Sequence, residues 1–123
     1  MECFIRSIDH VQLAAPPDCE AAARRFFVDL LGLKELAKPE PLTSQGGCWF
    51  EAASGQQIHV GVERPSFQPA KKAHPAFAIA SFDALRNRLL DAGCKVIDDT
   101  QISTVRRFFS EDPWGNRLEF IAV

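Results

Sequence analysis

The stretch EDPWGNRLEFI, residues 111–121, decides how this chain is interpreted. Its first half is typical of a tight turn, because proline suits the first central position and glycine tolerates a positive φ. Its second half alternates polar and apolar residues up to Ile121, which is the pattern of a strand buried on one face. Leu118 and Phe120 share that buried face, so Glu119 points the other way. A carboxylate placed in the middle of such a strand is either solvated or paired with another group.

The composition is that of one globular domain, with 123 residues of which 46% are hydrophobic. The formal net charge of −2 and the lack of a basic block argue against nucleic acid as a partner. No apolar run reaches the length that crosses a membrane, and the first residues lack the apolar core of a secretion signal. The four cysteines are scattered and form no C-x-x-C pair, which predicts free thiols in a reducing cytoplasm.

Residues 1–63 predict one helix among four strands. A strand over residues 8–14 is followed by Asp18, which suits a helix N-cap, and Gly32 suits the position after the helix ends. Further strands are predicted at 33–36, 48–52 and 57–62, and Ser54-Gly55 is predicted to form the hairpin turn between the last two. The helix is expected to bury the apolar residues Ala23, Phe26, Phe27, Leu30 and Leu31.

Residues 64–73 predict a linker, because this segment contains two prolines and no periodic pattern. The pattern then restarts over residues 74–123 with a strand at 74–80 and Ser81 as the expected N-cap of a second helix. Gly93 is expected to close that helix, and strands are predicted at 94–97, 105–110 and 116–122. The inward side of the helix is expected to carry Phe82, Leu85, Leu89 and Ala92.

The two halves repeat one another at a distance of about 60 residues. Residues 32–36 match 93–97, and Trp49, Glu51, Gly55 and His59 match Phe109, Glu111, Gly115 and Glu119. A single βαβββ unit of this length cannot bury its sheet alone. The sequence therefore predicts an α+β protein whose two βαβββ modules form a shared, incompletely closed curved sheet.

Three histidines and one glutamate occupy corresponding places in the two halves. His10 and His74 open the first strand of each half, whereas His59 and Glu119 lie in the last strand. All four alternate with the large apolar residues, so we expect them to converge on a shared cavity. Imidazole and carboxylate ligands suit a divalent cation such as Zn²⁺, Ni²⁺, Co²⁺, Fe²⁺ or Mn²⁺. The alternative stays open, because a single histidine in a strand is usually structural or exposed.

Three further residues are candidates for contact with a substrate. Arg106 and Arg107 are consecutive in a strand, so one must face inward, where it can hold a carboxylate or phosphate. Gln12 shares a face with His10, and Trp49 is suited to line an apolar pocket, although core packing explains Trp49 equally well. The candidate substrate contacts are therefore Arg107, Gln12 and Trp49.

Several motifs resemble the vicinal oxygen chelate superfamily, which includes glyoxalase I, bleomycin and fosfomycin resistance proteins, methylmalonyl-CoA epimerase and extradiol dioxygenases. The resemblance rests on the repeated βαβββ order, on DHV at 9–11, on LLGL at 30–33 and on DPWGNRLE at 112–119. It covers almost the whole chain and implies a homodimer that acts on a small molecule. It also implies metal ligands in the first and last strands of each half, namely His10, His59, His74 and Glu119, with Glu119 as the catalytic residue.

The resemblance leaves three functions open. The preferred one is a metal-dependent lyase or isomerase of glyoxalase type, in which the cation acts as a Lewis acid on two neighbouring substrate oxygens. The others are a metal-free binding protein of the bleomycin-resistance kind and an Fe²⁺ extradiol-type dioxygenase, whose site would resemble His10, His74 and Glu119. One departure is His59, because glyoxalase I carries a glutamate at the similar place. This change removes a proton acceptor and makes the site more positive.

Overall fold

The computed structural model describes residues 1–123 as two consecutive βαβββ units, which confirms the α+β class. The first contains β1 His10–Ala15, α1 Glu20–Ala23 continued by a π-helix Arg24–Leu30, β2 Lys34–Leu36, a 3-10 helix Leu42–Ser44, β3 Cys48–Glu51 and β4 Gln57–Val62. The second contains β5 Ala76–Ile79, α2 Phe82–Asp91, β6 Ile97–Asp99, β7 Arg107–Glu111 and β8 Arg117–Ala122. None of the helices combines the length and apolar character needed to cross a lipid bilayer. The division of the chain at residues 64–73 stays a prediction.

The eight strands form two four-stranded sheets, in the orders β1-β4-β3-β2 and β5-β8-β7-β6. In each unit the first and last strands pair in parallel, and the other neighbours are antiparallel. A parallel pair needs a long crossover connection, and the helix of each unit lies within that crossover. In the observed strand orders, β1 and β5 each lie at an edge of their sheet with one side unpaired.

The core joins the helix-facing layers of both units. Phe27 and Phe50 of the first unit belong to the same buried cluster as Phe108 and Phe120 of the second. All four are at most 1% exposed. Burying such a side chain contributes roughly 2–3 kcal/mol. The alternation that marked the buried faces in the sequence therefore describes a single core spanning the whole chain.

The first helix differs in two ways from its prediction. The N-cap is Cys19, whose carbonyl oxygen accepts the N–H of Ala23, while Asp18 lies one residue earlier with a φ of +63°. From Arg24 the chain winds as a π-helix, so that the N–H of Leu31 donates to the carbonyl of Phe26, five residues back. The predicted glycine end is confirmed, since Gly32 has a φ of +79°.

The second unit also departs from its predicted boundaries. Strand β5 begins at Ala76 rather than at residue 74, because Pro75 has no N–H to donate to a neighbouring strand. Strand β6 begins at Ile97 rather than 94, since the N–H of Cys94 still donates to Leu89 at the helix end. Ser81 is the N-cap, but it has a φ of +53° and its side chain makes no capping bond. Ala92, predicted to face inward, is exposed.

The closing turn ties the two units together. The Asp112 carboxylate accepts the backbone N–H groups of Trp114 and Asn116 at 3.0 and 2.9 Å and the Asn116 side-chain amide at 2.7 Å. The same amide donates to the carbonyl of Ala14, at the end of β1, at 2.8 Å. Burial raises the pKa of Asp112, and the bonds from Asn116 and Trp114 oppose that rise. Gly115 has the positive φ that the turn requires, +94°.

Candidate functional site

His74 and Glu119 face each other between the start of β5 and the middle of β8. The Nε2 atom of His74 lies 2.8 Å from Oε1 of Glu119. Their side chains are 19% and 9% exposed. The Nδ1 atom of His74 donates to the carbonyl oxygen of Lys72 at 2.8 Å, since a carbonyl only accepts. A contact this short between an imidazole nitrogen and a carboxylate oxygen is a hydrogen bond, in which the ring nitrogen donates to the carboxylate.

Arg107 holds the second oxygen of Glu119. Its Nη1 donates to Oε2 of Glu119 at 3.2 Å, and its Nη2 donates to Oδ2 of Asp99 at 3.3 Å. The Nε atom of Arg107 is buried without a hydrogen-bond partner. Neighbouring Arg106 is exposed and pairs with Asp83, so Arg107 is the inward member of the pair. The inward arginine thus donates to two protein carboxylates and binds only Oε2 of Glu119, so that Oε1 contacts His74.

His10, His59 and Trp49 form a stack of three rings on the first sheet. The ring centroids of His10 and His59 are 4.0 Å apart with an angle of 17° between planes, and those of Trp49 and His59 are 4.0 Å apart with an angle of 4°. His59 is the inner ring and is 5% exposed. Burial is the main cause that lowers the pKa of His59, and the neighbouring His10 contributes less, so the neutral ring of His59 is favoured.

The hydrogen bonds of the two stacked histidines differ. The Nδ1 atom of His10 donates to Oδ1 of Asp9 at 2.9 Å, which leaves the Nε2 lone pair free. His59 instead has its Nε2 atom 2.8 Å from Oε1 of Gln57. His10 therefore resembles His74, since each is anchored through Nδ1 by an oxygen. An imidazole held in this way presents a well-oriented Nε2 to a metal ion.

The structure brings the four predicted ligands together as two pairs rather than as one group. His10 and His59 lie on the first sheet, and His74 and Glu119 lie on the second. No three of the histidine, cysteine, aspartate and glutamate side chains lie close enough to hold one ion. The common core joins the helix-facing layers, which leaves the opposite face of each sheet directed away from it. The expected convergence within one chain is therefore absent.

Two of the predicted substrate contacts share a cavity. Gln12 and Trp49 line a space of about 260 Å³ on the first sheet, together with Gly61. A Cβ atom at Gly61 would lie 2.7 Å from Nε2 of Gln12, so the glycine makes room for this amide. The third predicted contact, Arg107, lies on the second sheet beside Glu119.

Three groups that contact the candidate residues were not predicted from the sequence. They are Asp9, Asp99 and the carbonyl of Lys72. Asp9 directly precedes His10, and that adjacency was a usable signal for a carboxylate that orients an imidazole. Asp99 was not predicted because the sequence placed the strand β6 at residues 94–97, which does not include it. In the observed strand, Asp99 lies opposite Arg107. The Lys72 carbonyl carries no sequence signal, since any residue supplies the same group.

Comparison with known proteins agrees with the observed fold. The family model described as Glyoxalase/Bleomycin resistance protein/Dioxygenase superfamily matches residues 7–120. A search of curated proteins found no match. The chain is similar to a solved structure from Bacillus anthracis described as a glyoxalase family protein, with 48% sequence identity and a TM-score of 0.92. That likeness covers 99% of this chain and 98% of the other.

Two more distant structures show the same fold. A glyoxalase/dioxygenase from Nostoc punctiforme is 23% identical with a TM-score of 0.80, over 97% of this chain and 92% of that chain. The genomically encoded fosfomycin resistance protein FosX from Listeria monocytogenes is 18% identical with a TM-score of 0.74, over 98% and 93% of the two chains. At these identities the likeness extends to the fold alone.

Proposed function

The chain belongs to the glyoxalase/bleomycin resistance protein/dioxygenase superfamily, and from that premise we propose a metal-dependent enzyme of glyoxalase type, a lyase or isomerase. The observation that carries the proposal is the 2.8 Å approach of His74 Nε2 to Glu119 Oε1. These donor atoms fit a divalent cation such as Zn²⁺, Ni²⁺, Co²⁺, Mn²⁺ or Fe²⁺ in place of the shared proton. When bound, the cation supplies Lewis-acid polarisation of two neighbouring substrate oxygens.

The third ligand in this proposal is His10 of the partner subunit in a symmetric homodimer. His10 is 43% exposed and keeps a free Nε2, whereas His74 and Glu119 of the same chain have no third ligand nearby. Strands β1 and β5 are both unpaired edges, and an exposed edge favours pairing with another chain. In a two-fold dimer, β1 of each subunit meets β5 of the other, so two equivalent sites form.

The proposed substrate is a small molecule with two adjacent oxygen atoms. The substrate would lie between the first sheet of one subunit and the second sheet of its partner in the proposed dimer. There it would contact Gln12 and Trp49, which share a cavity beside the ring stack. An anionic substrate is favoured because His59 replaces a carboxylate on that side of the site. We assign Arg107 to holding Glu119, because two of its donors already bind carboxylates. The free thiols at Cys19 and Cys48 suit a reducing cytoplasm.

A second candidate is an Fe²⁺ enzyme that uses oxygen. It is supported by the donor set His10, His74 and Glu119, since two histidines and one carboxylate with open positions are typical of non-haem iron oxygenases. In that case the same three side chains would hold iron, and the small molecule would be oxidised rather than isomerised.

Elemental analysis of tag-free protein, purified without chelator, tests the proposal together with oxygen uptake. Retention of a divalent metal without oxygen uptake supports the lyase or isomerase, and retained iron with oxygen uptake favours the second candidate. Wild-type protein should melt at a higher temperature with metal than with chelator, because a ligand at 100 times its Kd stabilises the native state by about 2.7 kcal/mol. Equal melting temperatures with chelator and with Zn²⁺, Ni²⁺, Mn²⁺ or Fe²⁺ would favour a metal-free binding protein.

A further inference from the structure

We propose that His59 is a positioning residue that fixes the ring of His10 for metal binding, and that it is not itself a ligand. The inference rests on the proposed function and concerns the stack of His10, His59 and Trp49 on the first sheet. It reduces the four candidate ligands to the set His10, His74 and Glu119.

The parallel rings of His10 and His59 exclude a cation shared between them. A metal bound by histidine lies in the plane of the imidazole ring, at about 2.0–2.1 Å from the nitrogen. The two planes differ by 17° and the centroids are 4.0 Å apart, so a cation in the plane of His10 would lie well outside the plane of His59. The lone pairs of His59 lie within its own ring plane and do not reach that position. Binding by His59 would require its ring to leave the stack.

Three features hold His59 in the stack. Trp49 covers the other face of its ring, with centroids 4.0 Å apart and an angle of 4°. The residue is 5% exposed, so a rotation of the ring must displace packed neighbours. The Nε2 atom of His59 also lies 2.8 Å from Oε1 of Gln57, a contact that a metal bond at Nε2 would remove. These restraints indicate that the His59 ring has a fixed orientation and does not turn to bind a metal.

The ring of His10 has little other restraint on its orientation. Its anchor is Asp9, whose side chain is 90% exposed while His10 is 43% exposed. Exposed ion pairs of this kind contribute little, because water screens them and ordering the side chains costs entropy. The flat face of His59 restricts rotation of the His10 ring far more than Asp9 alone. His59 thus orients the free Nε2 of His10 through contact with the ring, and acts on the cation only through His10.

The experiment compares three variants, His59→Phe, His59→Ala and the matched control His10→Phe. Zn²⁺ affinity is measured by calorimetry on chelator-treated protein, and the ring tautomers of the metal-free protein are read from ¹⁵N NMR. His59→Phe keeps a flat ring without nitrogen and should bind Zn²⁺ within about 3-fold of wild type and keep His10 protonated at Nδ1. His59→Ala should weaken binding by roughly 10–100-fold, the usual effect of losing a residue that orients a ligand.

The control and a further variant separate positioning from ligation. His10→Phe keeps a ring in the stack but removes the ligand atom, so it should lose Zn²⁺ binding altogether. Trp49→Leu removes the other stacking face and no ligand, and it should lower the affinity by a factor similar to that of His59→Ala. The inference is overturned if His59→Phe loses Zn²⁺ as completely as His10→Phe, or if His59→Ala keeps wild-type affinity. Failure of wild-type protein to bind any divalent cation would overturn the proposed function as well.

Discussion

The Nε2 atom of His74 lies 2.8 Å from Oε1 of Glu119, although 45 positions separate the two residues in the chain. His74 is fixed from behind by the Lys72 carbonyl, and Glu119 is fixed by Arg107. Each partner therefore presents one oriented atom to the other. A hydrogen bond joins the two atoms, and the same two atoms would be available to a divalent cation.

Substitution of either residue should remove metal binding without unfolding the protein. We expect His74→Ala and Glu119→Gln each to reduce Zn²⁺ affinity by at least ~100-fold, because two-atom coordination is lost. The melting temperature of chelator-treated His74→Ala should remain close to that of wild type, since Glu119 keeps its bond to Arg107. Calorimetry and thermal unfolding measure the two effects. A structural role alone would instead lower stability equally with and without Zn²⁺.

Mixing two inactive variants should restore metal binding if sites are shared between subunits. In a heterodimer of His10→Ala and Glu119→Ala subunits, one site carries both changes and the other carries none. After joint unfolding and refolding of equal amounts, about one quarter of the wild-type metal capacity should return, because half of the dimers are mixed. Elemental analysis after gel filtration measures this recovery. Capacity that stays at zero, or a monomer by light scattering at micromolar concentration, would contradict the shared site.

Arg107→Met should destabilise the fold by about 3 kcal/mol, because it removes the positive charge that binds the two carboxylates of Glu119 and Asp99. Urea unfolding of chelator-treated protein gives this value, and the double variant with Glu119→Gln should recover part of it, since the charge left unpaired is removed. The matched control is Arg106→Met, which breaks an exposed pair with Asp83 and should cost less than about 0.5 kcal/mol. Equal costs for the two arginines would show that Arg107 does not hold Glu119.

Asp112→Ala should destabilise the protein by roughly 2–3 kcal/mol, because three N–H groups of the closing turn lose their acceptor. Asp98→Ala is a suitable control, since Asp98 forms an exposed pair with Arg86 and should cost less than about 1 kcal/mol. Chemical unfolding measures both variants. A small effect at Asp112 would mean that the turn is held by its backbone alone.

The contribution of Glu20 to stability should disappear in acid. Its Oε2 accepts the N–H of Gly47 at 2.6 Å, and this bond lowers the pKa of Glu20 below its ordinary value. The folded state therefore binds the proton less readily than the unfolded state, so the stabilisation is present above the unfolded pKa of about 4.3 and is lost as pH falls through the folded pKa.

Glu20→Ala measures this effect directly. It should lower the free energy of unfolding by about 1 kcal/mol at pH 7 and by much less at pH values well below the folded pKa. Unfolding curves at several pH values give the difference. A cost that is constant with pH would show that the carboxylate charge does not matter.

Gly47 itself should tolerate no side chain, because a Cβ would clash with the carbonyl oxygen of Val60 and the residue has a φ of +97°.

The sequence by itself determined the order of the elements and which side chains share a face. Period-two alternation is a local property, so the burial of Leu118 and Phe120 followed directly from residues 117–121. The glycines at 32 and 115 likewise marked their turns, because a positive φ is a demand of the local backbone. The repeat of the two halves then predicted two βαβββ units, and the sheet order confirms them.

Only the tertiary structure decided which candidate ligands meet. The face of each strand was predictable, but the separation of His10 from His74 depends on how the two sheets pack through their common core. The pairing of Arg107 with Asp99 depends on the register of β6 against β7. The same holds for His59, whose ring is stacked between His10 and Trp49. Periodicity fixes direction along one strand, whereas the distance between side chains of different strands is set by packing and register.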